Sequence, residues 1–104
     1  MPPTLDERVA HLVSRAHLLE RAVHSADGWS ISRSGREAPA IRELMEDRVV
    51  FTVHFQAPGE YGPDSWLFHH GECLSYLRVP PITIDPGRVF TFSWELVIED
   101  SVAA

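Results

Sequence analysis

The residues whose types could do chemistry are six histidines and a single cysteine. His69, His70 and Cys73 cluster along the chain, and His54 lies on a neighbouring candidate strand. A site of His54, one of the His69/His70 pair and Cys73 would follow the open zinc pattern, in which three protein ligands leave one position for water. Adjacent strand residues point to opposite faces, so only one of the pair can join His54 unless a turn at Gly71 redirects the other. The spacing matches no established ligand motif, and turn or surface positions account for the histidines, so no metal is expected. Cys73 as a nucleophile would need a depressed thiol pKa and a nearby base. On an alternating strand it packs instead as a small apolar group.

A second candidate group, His17, Glu20 and His24, shares one helix face. His17 and His24 stand two turns apart, about 10 Å, which is too far for one ion. A solvated Glu20–His24 pair near the helix C-terminus is the simpler reading. No G-x-S-x-G elbow, phosphate-binding glycine loop, H-E-x-x-H or dinucleotide fingerprint occurs. Acid pairs such as Glu46-Asp47 and Glu99-Asp100 sit at element ends and read as solvated. The chain is therefore expected to be neither an enzyme nor a cofactor carrier.

The elements that would position these residues begin with a helix over 4–27. Thr4 and Glu7 form a capping box, and Gly28 stands where a left-handed C-terminal cap would fall. Between them Leu5, Val9, Leu12, Ala16, Leu19 and Val23 make a heptad seam about 33 Å long. With Leu5, Leu12 and Leu19 at d, Val9, Ala16 and Val23 fall at a, a combination that favours parallel dimers. Arg15 at g and Glu20 at the following e suit an interhelical ion pair. Val13, Leu18 and Ala22 widen the stripe, as in a helix lying on its own sheet. The seam thus serves either the chain's own core or a partner helix.

After Gly28 the period changes to 2. Residues 29–33 read as a short strand closed by a Ser34-Gly35 turn. The stretch 38–47 is open between a short helix starting at Pro39, burying Ile41, Leu44 and Met45, and a returning hairpin strand. RVVFTVHFQ (48–56) alternates cleanly, with Val49, Phe51, Val53 and Phe55 on one face. Residues 57–64 read as loop. Residues 65–79 read as strand with a turn or bulge at Gly71, ended by Pro80-Pro81. Ile82 and Ile84 lead to an Asp85-Pro86-Gly87-Arg88 turn, and 88–99 forms a last strand presenting Phe90, Phe92, Trp94, Leu96 and Ile98 to the core. Of the aromatic residues, Tyr61 and Trp66 fall among Pro and Gly, where they could be offered to a protein partner as rigid anchors. The fold class expected is α+β: an N-terminal amphipathic helix followed by an antiparallel sheet of five or six strands, as a helix-covered sheet or a small sandwich.

The chain has 104 residues, 44% hydrophobic and 23% charged, which fits one folded domain spanning 1–104. Its formal net charge of −6 disfavours nucleic acid as a partner. All nine basic residues are Arg; there is no Lys and no Asn, and Gln56 is the single Gln, a bias that points to a high-GC genome. One cysteine forbids an internal disulfide and suits a reducing cytoplasm. No signal-peptide pattern opens the chain and no apolar run is long enough to span a membrane.

The order of segments, a heptad helix over 5–26, GWSISRSG, RVVFTVHF and the closing ITIDPGRVFTFSWELVIED, resembles small virion and assembly proteins of phages infecting actinobacteria. The resemblance implies a place in a particle or its assembly, through repeated contacts with itself as a homo-oligomer or with a repeating protein partner. No residue role carries over from it. The expectation is a non-enzymatic structural or assembly protein of the cytoplasm or a phage virion (capsid, head–tail or tail), with no nucleic-acid or membrane partner. Leu5, Val9, Leu12, Ala16, Leu19, Val23, Tyr61 and Trp66 are its candidate partner contacts. One alternative is a small acidic binding or inhibitor module that occupies a partner's basic site. Another is a metal-dependent enzyme using His54, His69 or His70, and Cys73.

Overall fold

Short runs of alternating polar and apolar residues, separated by turn-forming pairs, favour antiparallel hairpins. In the computed structural model, which describes residues 13–98, helix α1 (Arg15–His24) precedes nine strands. They are β1 (Trp29–Arg33), β2 (Arg36–Pro39), β3 (Ile41–Leu44), β4 (Arg48–Phe55), β5 (Gly59–Tyr61), β6 (Asp64–His69), β7 (Glu72–Arg78), β8 (Ile82–Ile84) and β9 (Phe90–Val97). A four-stranded sheet has the order β2-β1-β6-β7, a three-stranded sheet β3-β4-β9, and β5-β8 form a ribbon; every pairing is antiparallel.

Two tight turns set the register of the larger sheet. Ser34 and Gly35 both have positive φ (51° and 74°), as do His70 and Gly71 (49° and 81°). Positive φ at both central residues suits the right-handed twist of two-residue hairpins. A register shift between Leu67 and Phe68 leaves Leu74 unpaired in β7 and buried in the core.

The two sheets enclose one core. Trp29 of β1 packs on Phe51 of β4, ring centroids 4.5 Å apart. Ile31, Leu67 and Leu74 face Val49, Val53, Trp94 and Leu96, all buried. Each such side chain contributes about 1.5–3 kcal/mol by leaving water. The stretch 36–44 forms an edge of both sheets. Ala40 N still bonds to Trp29 O at 2.8 Å, and the next residue, Ile41, already pairs with Thr52. Helix α1 closes one end of the core through Leu18 and Ala22, and the β5-β8 ribbon closes the other through Tyr61 and Ile84.

The α+β class and the antiparallel pairing are as expected, whereas the count of five or six strands is corrected to nine. The open stretch 38–47 is extended, because the Ser34-Gly35 turn returns residues 36–39 along β1. A short strand, β5, lies inside the expected 57–64 loop. The expected helix over 4–27 is corrected as well. Ser14 is extended (ψ 158°) and caps α1, its Oγ accepting from His17 N at 3.2 Å. Ser25 rather than Gly28 ends the helix. Gly28 is left-handed (φ 87°), and a Cβ there would collide with the His70 ring. The Thr4–Glu7 box and the seam residues Leu5, Val9 and Leu12 lie outside the described residues.

Candidate functional site

Strand alternation decides where each chemically capable side chain points, and it separates the expected ligands. His54 sits on the outer face of β4, Nδ1 2.9 Å from Thr91 Oγ1. Cys73 is buried in β7, in the other sheet, its Sγ 3.9 Å from Ser75 O. His70 is exposed in a turn. Among the described residues no three His, Cys, Asp or Glu side chains gather where they could hold a metal ion. The three-ligand arrangement of His54, His70 or His69, and Cys73 is thus not assembled.

His69 instead holds the helix end of the core. It is buried and stacks on Trp29 at 4.4 Å. Its Nε2 lies 3.1 Å from Asp27 O and its Nδ1 3.4 Å from Arg21 Nη1. A carbonyl only accepts and a guanidinium only donates, so the ring fits here neutral, with its proton on Nε2. Burial above all, with His70 adding to it, holds its pKa below the ordinary value. Arg21 continues to Glu72 at 2.9 Å, tying α1 to β7.

At the opposite end Arg33 is 1% exposed. Its Nη2 donates to Gly62 O (2.8 Å) and Pro80 O (3.2 Å), and its guanidinium lies over Phe92 (5.1 Å) and Phe90 (5.5 Å). Its Nε has no partner, nor has Oγ of Ser65, its cross-strand neighbour. Burial lowers the Arg33 pKa. Phe90 and Phe92, expected in the core, are half-buried against it and form the floor under this cation.

The expected partner contacts divide. Tyr61 is fully buried, its ring tilted against Phe55 at 5.2 Å and under Arg36 at 4.3 Å, its hydroxyl donating to Ala57 O. It is a core residue of the chain rather than an exposed anchor. Leu19 and Val23 pack against the chain's own core, while Ala16 is exposed. The helix buries the Leu18–Ala22 face most deeply, one residue round from the seam.

Trp66 does reach the surface, on the outer face of the four-stranded sheet. Glu37, Ser32, Trp66 and Tyr76 form one row across β2, β1, β6 and β7. Tyr76 packs against Trp66 with centroids 4.4 Å apart, and its hydroxyl donates to Asp64 Oδ1, which raises the Tyr76 pKa. Ser30 donates to Glu37 (3.1 Å), and Ser34 accepts from Gly62 N (2.7 Å). Together Ser32, Ser34, Gly35, Glu37, Gly62, Asp64 and Trp66 line an open cleft of about 320 Å³. Sequence reading missed this row and missed Arg33. The alternation of Ser30, Ser32 and Ser34 against Trp29, Ile31 and Arg33 signalled both, since it places small hydroxyls outside and an arginine inside.

Scanned against protein-family models the chain matches none, and neither the curated proteins nor the solved structures provide a match. No helix among the described residues is long and apolar enough to cross a membrane.

Proposed function

We propose that this is a non-enzymatic structural or assembly protein, acting through protein–protein contacts as a component of a phage particle. The observation that carries the reading is the free edge of the three-stranded sheet. Ile41 is 68% exposed on β3, which among the described residues pairs on one side only, with β4, and Leu44 and Met45 continue the apolar exposure at 47% and 45%. Single exposed apolar residues are ordinary. Here they coincide with a row of strand N–H and C=O groups open to pairing, the arrangement that joins sheets between chains. Leu19 and Val23 serve the chain's own core, so the edge joins the seam residues Leu5, Val9 and Leu12, which lie outside the described residues, as a contact surface.

Sedimentation velocity at micromolar concentration tests this. The expected result is a species heavier than the 11.7 kDa chain, reduced to monomer by Ile41→Glu with Leu44→Glu. A monomer at every concentration, together with neighbouring genes that encode no capsid or tail component, overturns it.

A further inference from the structure

We propose that the cleft on the outer face of the four-stranded sheet binds an uncharged, hydroxyl-rich ligand the size of one or two pyranose rings. The inference concerns a different sheet from the β3 edge and stands independently of the assembly reading.

The cleft has an aromatic wall, a shallow floor and acceptor-rich sides. Trp66 supplies the wall. Tyr76 packs on one side of its indole at 4.4 Å, so the ring is held in place while another side lines the cleft. The flat apolar face of a sugar ring stacks on such a surface and is desolvated there. Ser32 occupies the next register position, and its small side chain leaves room beside the indole. At about 320 Å³ the cleft falls at the lower end of small-ligand sites, about 300–1,000 Å³.

The polar sides select hydroxyls. Asp64 already accepts a hydrogen bond from the Tyr76 hydroxyl. A carboxylate has about four acceptor positions, so ligand O–H groups can share it, and hydrogen bonds to an ionised acceptor are the strong ones. The Ser32 and Ser34 hydroxyls, the Glu37 carboxylate, which already accepts from Ser30, and the backbone of Gly35 and Gly62 complete the lining among the described residues. Among the described residues no cation lines the cleft, a setting unfavourable to phosphate and sulfate. On the same face Arg78 stands directly across from Asp64 in the pairing register, a cation beside one of the two carboxylates, which favours a neutral ligand over a cationic one there.

Trp66 also supplies the readout, because Trp29 and Trp94 are each only 3% exposed. The full chain is titrated with glucose, galactose, N-acetylglucosamine, maltose, cellobiose, lactose and chitobiose, with acrylamide quenching of tryptophan fluorescence and calorimetry as signals. At least one sugar is expected to saturate below about 10 mM and to shield Trp66 from acrylamide. Trp66→Ala and Asp64→Asn should each weaken binding at least tenfold with an unchanged circular dichroism spectrum, while Trp66→Tyr retains part of it. Ile41→Glu should leave it unchanged. If no sugar in the panel shields Trp66, or if Asp64→Asn binds as well as the native chain, the proposal falls. Binding of oligo-arginine instead, steeply weakened by salt, would make the cleft an acidic protein-binding site and would equally overturn it.

Discussion

Arg33 carries a full charge into the core without a carboxylate among its partners. Two carbonyl oxygens and two phenyl faces replace the water it gives up. Buried charges more often pair with an opposite charge, so this arrangement ties the stability of the ribbon end to one side chain. Arg33→Ala should lower the free energy of unfolding by about 3 kcal/mol, through the emptied volume and the unpaired carbonyls. Arg33→Met fills most of the space and should recover at least half of that loss, both read by urea denaturation. At the other end, the folded state binds the His69 proton less readily than the unfolded chain, because burial and His70 disfavour the cation. Stability present at neutral pH is therefore lost as pH falls below about 6.5. The melting temperature should drop between about pH 7.5 and 5.5, and His69→Gln should flatten that dependence.

At the scale of elements, alternation was the most legible signal. On the alternating face of RVVFTVHF, Val49, Phe51, Val53 and Phe55 are all buried as the period required, and Trp94 and Leu96 of β9 follow it. Helix boundaries were less legible because the heptad pattern runs through Ser14 without a break and hides the cap there. Ser14 caps α1 by accepting from His17 N, so Ser14→Ala should cost about 1 kcal/mol in thermal or urea unfolding. The 38–47 stretch stayed open for a different reason. Pro39 with apolar residues at 41, 44 and 45 satisfies a helix and an edge strand equally, and only the long-range pairing to β1 and β4 decides. The β5-β8 ribbon was invisible for the same reason: three residues among Pro and Gly carry no period, and their partner lies more than twenty residues along the chain. Of the candidate site, Trp66 was singled out in the sequence as a candidate partner anchor and lies half-buried on the outer face, but its row could not be seen without the registers joining four strands.

For the whole molecule, the two outer surfaces have different chemistry. One sheet offers a polar cleft with an aromatic wall, and the other an apolar edge. A protein built into a repeating array could use the edge for neighbours of its own kind and keep the cleft turned outward. The strand that turns the corner at Ala40 has a consequence in time. Residues 36–44 belong to both sheets, so neither can peel away while the other stays intact, and the amides of Phe51 and Leu67 should exchange with solvent only when the entire core opens. The order of folding follows the same constraint. The three local hairpins, β1-β2, β3-β4 and β6-β7, can close early, but Arg48 must find Val97 across nearly half the chain, and that late closure makes folding slow, on the order of milliseconds to seconds.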